Sequence, residues 1–211
     1  MQTYLNNVNA SINLIDVCLK LGVKKLIFAS SSSVLGPSPY GHSKRVIEEM
    51  LAHSGLNYTV LRYFNVFGEN QRENVVKIMA DALRNNEKIV INGDGSTTRD
   101  FSFVDNVVRA NLKAMSSTYD GQILDVGTGK PTSLMLLYKK LRSKINPTHD
   151  KLEFGPDRIG DIKYSCAKTF LQEDEIIHFN EGIDRWLSQS SAWDNWVVRS
   201  AGTSQNLQTM N

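Results

Sequence analysis

Two residues of this chain are spaced to do acid–base chemistry. Tyr40 and Lys44 stand four apart in Tyr40-Gly41-His42-Ser43-Lys44, so on a helix they share a face. A lysine ammonium beside a phenol favours phenolate. Moving a phenol from about 10 to about 7 takes roughly 4 kcal/mol, which an ammonium plus a cationic cofactor ring would supply in a water-poor cleft. A nearby serine hydroxyl would hydrogen-bond the substrate oxygen that loses its proton, and Ser30-Ser31-Ser32-Ser33 lies just upstream. Spacing alone decides little, because Tyr164 and Lys168 form a second such pair and a solvated helix start has the same pattern. Context separates the two pairs: Tyr40 opens a helix directly after a strand and a serine loop, whereas Tyr164 falls at a strand end.

The elements that must position these groups are legible from periodicity. Val8, Ile12, Ile15 and Leu19 recur at three- and four-residue steps over 7–21, with Gly22 placed to end the helix. Val46/Met50 and Ile47/Leu51 do the same over 40–53, and further helices are expected over 74–83, 105–115 and 133–141. Short apolar runs at 24–29, 58–62, 88–91 and 123–126 lack alternation, as strands covered on both faces do. Strands alternating with helices predict an α/β domain, a parallel sheet with helices on both faces. Ligands of such sheets sit beyond the carboxyl ends of the strands, which here means the loops after Ala29 and Arg62.

Composition narrows the partners. The 211 residues carry 24 basic and 22 acidic side chains, so nothing in net charge points to nucleic acid or an anionic membrane. No apolar run approaches the roughly 18 residues of a membrane span, and the first residues have neither the basic nor the apolar segment of a signal peptide. Cys18 and Cys166 stand far apart and the four histidines are scattered, so no metal site is expected and a reduced, cytoplasmic protein is. Residues 191–211 are polar and aperiodic and read as a tail. Gly127-Thr128-Gly129-Lys130 has a superficial likeness to a phosphate loop, but Pro131 follows the lysine and the required earlier glycine is absent.

Six motifs stand in a particular order: Asn6-Asn7-Val8-Asn9, Phe28 to Gly36 with its four serines, Ser38-Pro39-Tyr40-Gly41-His42-Ser43-Lys44, Leu61-Arg62-Tyr63-Phe64-Asn65-Val66-Phe67-Gly68, Gly93 to Phe101, and Val126-Gly127-Thr128-Gly129. In this order they resemble the extended short-chain dehydrogenases that act on nucleotide sugars, most of all the UDP-glucose 4-epimerase branch of the NAD-dependent epimerases and dehydratases. The likeness runs over about 4–187. It implies a Rossmann-like sheet with a small substrate-binding lobe, NAD as cofactor and a UDP-sugar as substrate. Residue by residue, it implies Tyr40 as general base, Lys44 as its partner and the holder of the nicotinamide ribose, and Ser31, three before Val34, as the hydroxyl. Asn6 and Phe64 resemble cofactor contacts. Asn65, Asn74, Val75, Arg99, Arg158, Asp161 and Ser165 resemble the nucleotide-sugar side, where two arginines can clamp a pyrophosphate and Asp161 suits a ribose hydroxyl. Taken without the resemblance, Arg99 would pair with Asp100, Arg158 with Asp157, and Asn65 would be a turn residue. The resemblance also implies a homodimer through the helices over 7–21 and 40–53.

Ser32 and Ser33 stand where dehydratases of this family have Asp-Glu, and no glutamate marks decarboxylation. Epimerisation at C4 is the expected reaction. Ser165 is small where bulkier residues restrict the site to plain hexoses, so UDP-N-acetylhexosamines are expected to be tolerated. Three departures qualify this reading. No glycine-rich βαβ unit precedes the first helix; at roughly 30 residues per unit, the dinucleotide-binding half that is lacking amounts to on the order of 90 residues, as in an N-terminally truncated chain. Only three residues separate Gly36 from Tyr40. Asn92 replaces an aromatic beside the base, and 168–181 lacks a further family stretch. The competing expectation is therefore a remnant that binds sugar nucleotide or dimerises without turnover, with a redox enzyme on the same scaffold as a third.

Overall fold

The structure, a computed structural model, describes residues 2–71, 74–158 and 160–189; the tail expected over 191–211 lies outside them. The chain opens on α1 (Gln2–Lys20), five residues earlier than its apolar periodicity predicts. Gly22 ends it in a left-handed conformation (φ 61°), with the Val23 N–H returning to Cys18 O, the C-terminal motif glycine permits. Then come β1 (Leu26–Ser31), a 3₁₀ turn (Ser32–Leu35), α2 (Pro39–His53) and β2 (Tyr58–Tyr63). β3 (Val66–Phe67), α3 (Val75–Arg84), β4 (Ile89–Asn92), β5 (Thr98–Arg99), β6 (Ser102–Phe103) and α4 (Val104–Ala114) follow. β7 (Gln122–Val126), β8 (Thr132–Ser133), α5 (Leu134–Ile145), β9 (Leu152–Gly155) and a helix over 179–189 complete it.

β1, β2 and β7 form a parallel sheet in that order. Both faces are covered, which explains the missing alternation. Val60 and Leu61 are adjacent in β2 and therefore point oppositely, yet both are fully buried. Val60 packs with Ile15 and Cys18 of α1 and Ile47 and Leu51 of α2; Leu61 packs with Ala110 and Ala114 of α4. Burying a side chain of this size is worth about 1.5–3 kcal/mol, so each face of β2 recruits its own helix layer.

The strand at 89–92 does not join this sheet. β4 instead pairs in parallel with β9, and α3, α5 and the helix over 179–189 close around it through Met79, Leu83, Leu137, Leu141, Ile183 and Trp186. This second lobe is joined to the first by Asp100, which is fully buried. Its carboxylate accepts from the amides of Thr128, Gly129 and Ala167 and from the Thr128 hydroxyl. The amides of the Gly127-Thr128-Gly129 turn are thus spent on an internal carboxylate, in agreement with its not being a phosphate loop. Among the described residues no helix is long and apolar enough to cross a membrane, and no cluster of His, Cys, Asp or Glu could hold a metal.

Candidate active site

Tyr40 lies in the first turn of α2. Pro39 presets the helical φ, and Ser38 caps the helix, its Oγ accepting from Gly41 N at 3.0 Å. One turn on, Lys44 reaches β1: its Nζ donates to Ala29 O at 2.9 Å and sits 4.8 Å from the centre of the Phe28 ring. Burial holds its ammonium below the usual lysine pKa, since desolvation disfavours the charged form. Two residues beyond Ala29, Ser31 ends β1. Its Oγ accepts from Ser33 N at 3.1 Å and so caps the 3₁₀ turn.

The short connection from Gly36 to Tyr40 brings α2 onto the serine turn backbone to backbone. A Cβ on Gly41 would stand 1.9 Å from Ser33 O and 2.6 Å from Ser33 C. No side chain fits there, and the obstacle is main chain that cannot swing aside. Gly41→Ala is therefore expected to push Tyr40 away from the serine turn; it should lower thermal stability and abolish any Tyr40-dependent activity, and a variant with wild-type melting and turnover would refute the contact.

Beyond the strand ends lie two chambers. The larger, about 440 Å³, runs along α3 and β4 and is lined by Asn74, Val75, Ile89, Asn92 and Arg158 among others. The smaller, about 220 Å³, is lined by Ser32, Ser33, Gly36, Ile162 and Ser165. Asn65, Arg99 and Asp161 line both, so they form the partition. Asn65 is at once the turn residue and a lining residue, with a left-handed φ of 23°, a conformation that concentrates at functional sites. Asn74 caps α3, its Oδ1 accepting from Lys77 N, and the positive end of the helix dipole accordingly faces the larger chamber.

Arg99 pairs with Asp161, not with Asp100: Nη2 stands 2.6 Å from Asp161 Oδ1, and Nη1 donates to Thr98 O and Ile162 O. Arg158 makes no ion pair among the described residues; Asp157 is taken by Lys163. Two expected cofactor contacts are not brought to the site. Asn6 is exposed and accepts from Gln2, whereas Asn7, one position and about 100° around the helix, donates to Ser43 Oγ at 3.0 Å, and Ser43 donates to Tyr40 O. Phe64 is fully buried and offers a ligand no side-chain surface. Tyr164 stays two-thirds exposed beside Cys166 and is not in the lining of either chamber. Asn7 could have been found in the Asn-Asn-Val motif, had helix phase been applied to it; Gly41 could have been found in the tyrosine motif.

The profile of the NAD dependent epimerase/dehydratase family matches residues 1–127. The chain is 35% identical to a putative UDP-glucose 4-epimerase of Methanocaldococcus jannaschii, a match covering 88% of this chain and 70% of that protein. Among solved structures it is similar to the UDP-N-acetylglucosamine 4-epimerase of Methanobrevibacter ruminantium in complex with UDP-N-acetylmuramic acid (31% identity, TM-score 0.80, 90% of this chain and 68% of that one). It is also similar to the Thermus thermophilus UDP-glucose 4-epimerase in complex with NAD (26% identity, TM-score 0.75, 84% and 67%). The chain spans between 58% and 70% of the length of the curated relatives it matches.

Proposed function

The chain belongs to the NAD dependent epimerase/dehydratase family, and from that premise we propose that it provides the sugar-nucleotide side of a UDP-hexose or UDP-N-acetylhexosamine 4-epimerase. The observation that carries this reading is the partition. A nucleoside diphosphate sugar has its negative charge midway between base and sugar, and Arg99 stands midway between a large chamber and a small one, with the start of α3 facing the first. Nucleoside along α3 and β4, pyrophosphate at Arg99 and Arg158, and sugar against Ser33 and Ser165 follow from size and charge together.

NAD fits in part. Lys44 and Tyr40 are disposed to hold a nicotinamide ribose, while among the described residues no glycine-rich strand–turn–helix offers amides to the dinucleotide pyrophosphate. When bound, NAD supplies a hydride acceptor at sugar C4 that returns the hydride to the opposite face. The chain's own residues handle the proton. Tyr40 accepts it from the 4-hydroxyl, Ser31 holds that oxygen by a hydrogen bond, and the Lys44 ammonium stabilises the negative charge passing through the phenol. Ser32 and Ser33 line the sugar chamber without a carboxylate pair, and its lining carboxylate, Asp161, is engaged by Arg99. Elimination of water has no acid and base there.

A second reading, binding without turnover, is favoured by the lining of the two chambers, which includes none of Ser31, Tyr40 and Lys44. Calorimetry of the purified 211-residue protein with UDP, followed by an epimerisation assay on UDP-N-acetylglucosamine with added NAD, separates them. Both readings expect UDP to bind; failure to bind at millimolar concentration defeats both. Turnover selects the first, binding alone the second. Ser165→Tyr should fill the small chamber and cut affinity for UDP-N-acetylglucosamine about tenfold or more while sparing UDP, since overpacking costs about 1–3 kcal/mol; equal losses for both ligands would remove Ser165 from the sugar site. Self-association is part of the proposal. α1 exposes Leu5, Ile12, Leu14, Val17 and Leu19, more apolar surface than a solvated helix carries, so light scattering should report a dimer, and Ile12→Asp with Val17→Asp a monomer.

A further inference from the structure

The helix that carries Tyr40 and Lys44 is bolted to the sheet by a buried carboxylate. Glu48 is one turn beyond Lys44 on the same face of α2 and only 3% exposed. Its Oε1 accepts from Ser30 Oγ at 2.5 Å and from Arg62 Nε at 2.9 Å, and its Oε2 accepts from Arg62 Nη2 at 2.5 Å. Ser30 and Arg62 are register partners on β1 and β2, and Asp125 is the partner of Arg62 on β7. These three form a polar row across the sheet, at the strand ends that lead into the serine turn and Asn65. The hydrogen bonds with Glu48, together with Asp125, raise the pKa of Arg62.

Stability alone does not account for this row. A buried ion pair replaced by apolar residues of similar volume is often as stable or more so, and α2 already has Ile47 and Leu51 in the core. What the ion pair adds is direction. A planar fork of two parallel bonds to Arg62 plus a third from Ser30 fixes both the height and the roll of the helix, whereas apolar contacts leave roll loosely defined. Ser30 precedes Ser31 and Glu48 follows Lys44, so the bolt spans the pieces whose relation the chemistry needs.

We propose that Glu48, with Arg62 and Ser30, is a positioning residue that holds Lys44 and Tyr40 over the end of β1. The inference rests on the Tyr40–Lys44 site proposed above. The test uses two variants, Glu48→Gln, which keeps shape but lacks the second acceptor oxygen, and the double variant Glu48→Met/Arg62→Met, which fills the space without polarity. Thermal melting reports the structural contribution. Titration of ¹³C-methylated lysines by NMR, with the Lys44 signal assigned from Lys44→Arg, reports position, because Lys44 is half-buried only while α2 is seated on β1. The double variant is expected to melt within a few degrees of the wild type while its Lys44 titration moves up towards that of an ordinary exposed lysine, and Glu48→Gln to move it part of the way. An unchanged Lys44 titration in a folded variant overturns the proposal, as does loss of folding in both, which would make the cluster purely structural. Should the catalytic reading itself fail, the Lys44 shift would remain while Tyr40→Phe changed no activity, so the two failures are distinguishable.

Discussion

Arg99→Met should weaken UDP binding by roughly 30- to 150-fold. Two contributions act in the same direction. The charge-assisted hydrogen bonds from the guanidinium to the pyrophosphate are worth about 2–3 kcal/mol, which is that range of affinity. In addition, Asp161 now has its charge balanced by Arg99 at 2.6 Å; removing the arginine leaves that carboxylate in the partition, facing an anion. The second contribution can be isolated. Arg99→Met with Asp161→Asn should recover part of the loss, while Asp161→Asn alone should be tolerated by the pyrophosphate end and cost only a ribose contact. The pair is about one-fifth exposed, so solvent moderates the repulsion. Calorimetry with UDP on all three variants checks it, and an Arg99→Met affinity equal to wild type would move the pyrophosphate elsewhere.

The second large effect concerns chemistry. In protein that turns over, Tyr40→Phe should reduce epimerisation by a factor of about 10³ or more, since it removes the proton acceptor, and leave the UDP dissociation constant within about twofold. That separation is expected because Tyr40 and Lys44 approach the end of β1 from α2, whereas the nucleotide chamber is lined by α3 and β4 with Asn65, Arg99, Arg158 and Asp161 among others. Parallel loss of binding and turnover would show that Tyr40 is a structural residue.

Much of this was legible in the sequence, for a definite reason. The helices and principal strands follow local apolar periodicity, and β2 could be read as doubly covered because Val60 and Leu61 are both apolar. The residues lining the two chambers, from Asn65 to Ser165, came from motif order, and the structure brings them together. What could not be read depends on non-local pairing. β9 is four residues whose partner β4 lies far back in the chain, and its Glu153 and Phe154 are exposed, so no periodic signal marks it. The Asp100 pairing that adjacency alone offers Arg99 is not the one formed, because sequence adjacency stands in poorly for geometry; Asp100 points into the core and Asp161 comes from another segment. Asn6 and Asn7 differ only by helix phase, which a motif match does not carry. Phe64 was assigned to the cofactor from its motif, while its environment is the interior behind the strand end.

The contact between Ser33 and Gly41 also bears on the order in which the molecule assembles. Ser30 and Glu48 are 18 residues apart, whereas the Glu87–His149 link, which joins the turn before β4 to the connection between α5 and β9, spans 62. Loop closure costs entropy as about (3/2)RT ln n, and short-range contacts speed folding. The β1–turn–α2 unit, with serine, tyrosine and lysine already in it, is therefore expected to gain protection in pulse-labelled hydrogen exchange before the nucleotide lobe does. Its reactive half would be inherited from a hairpin-sized folding nucleus, and its ligand-binding half added afterwards.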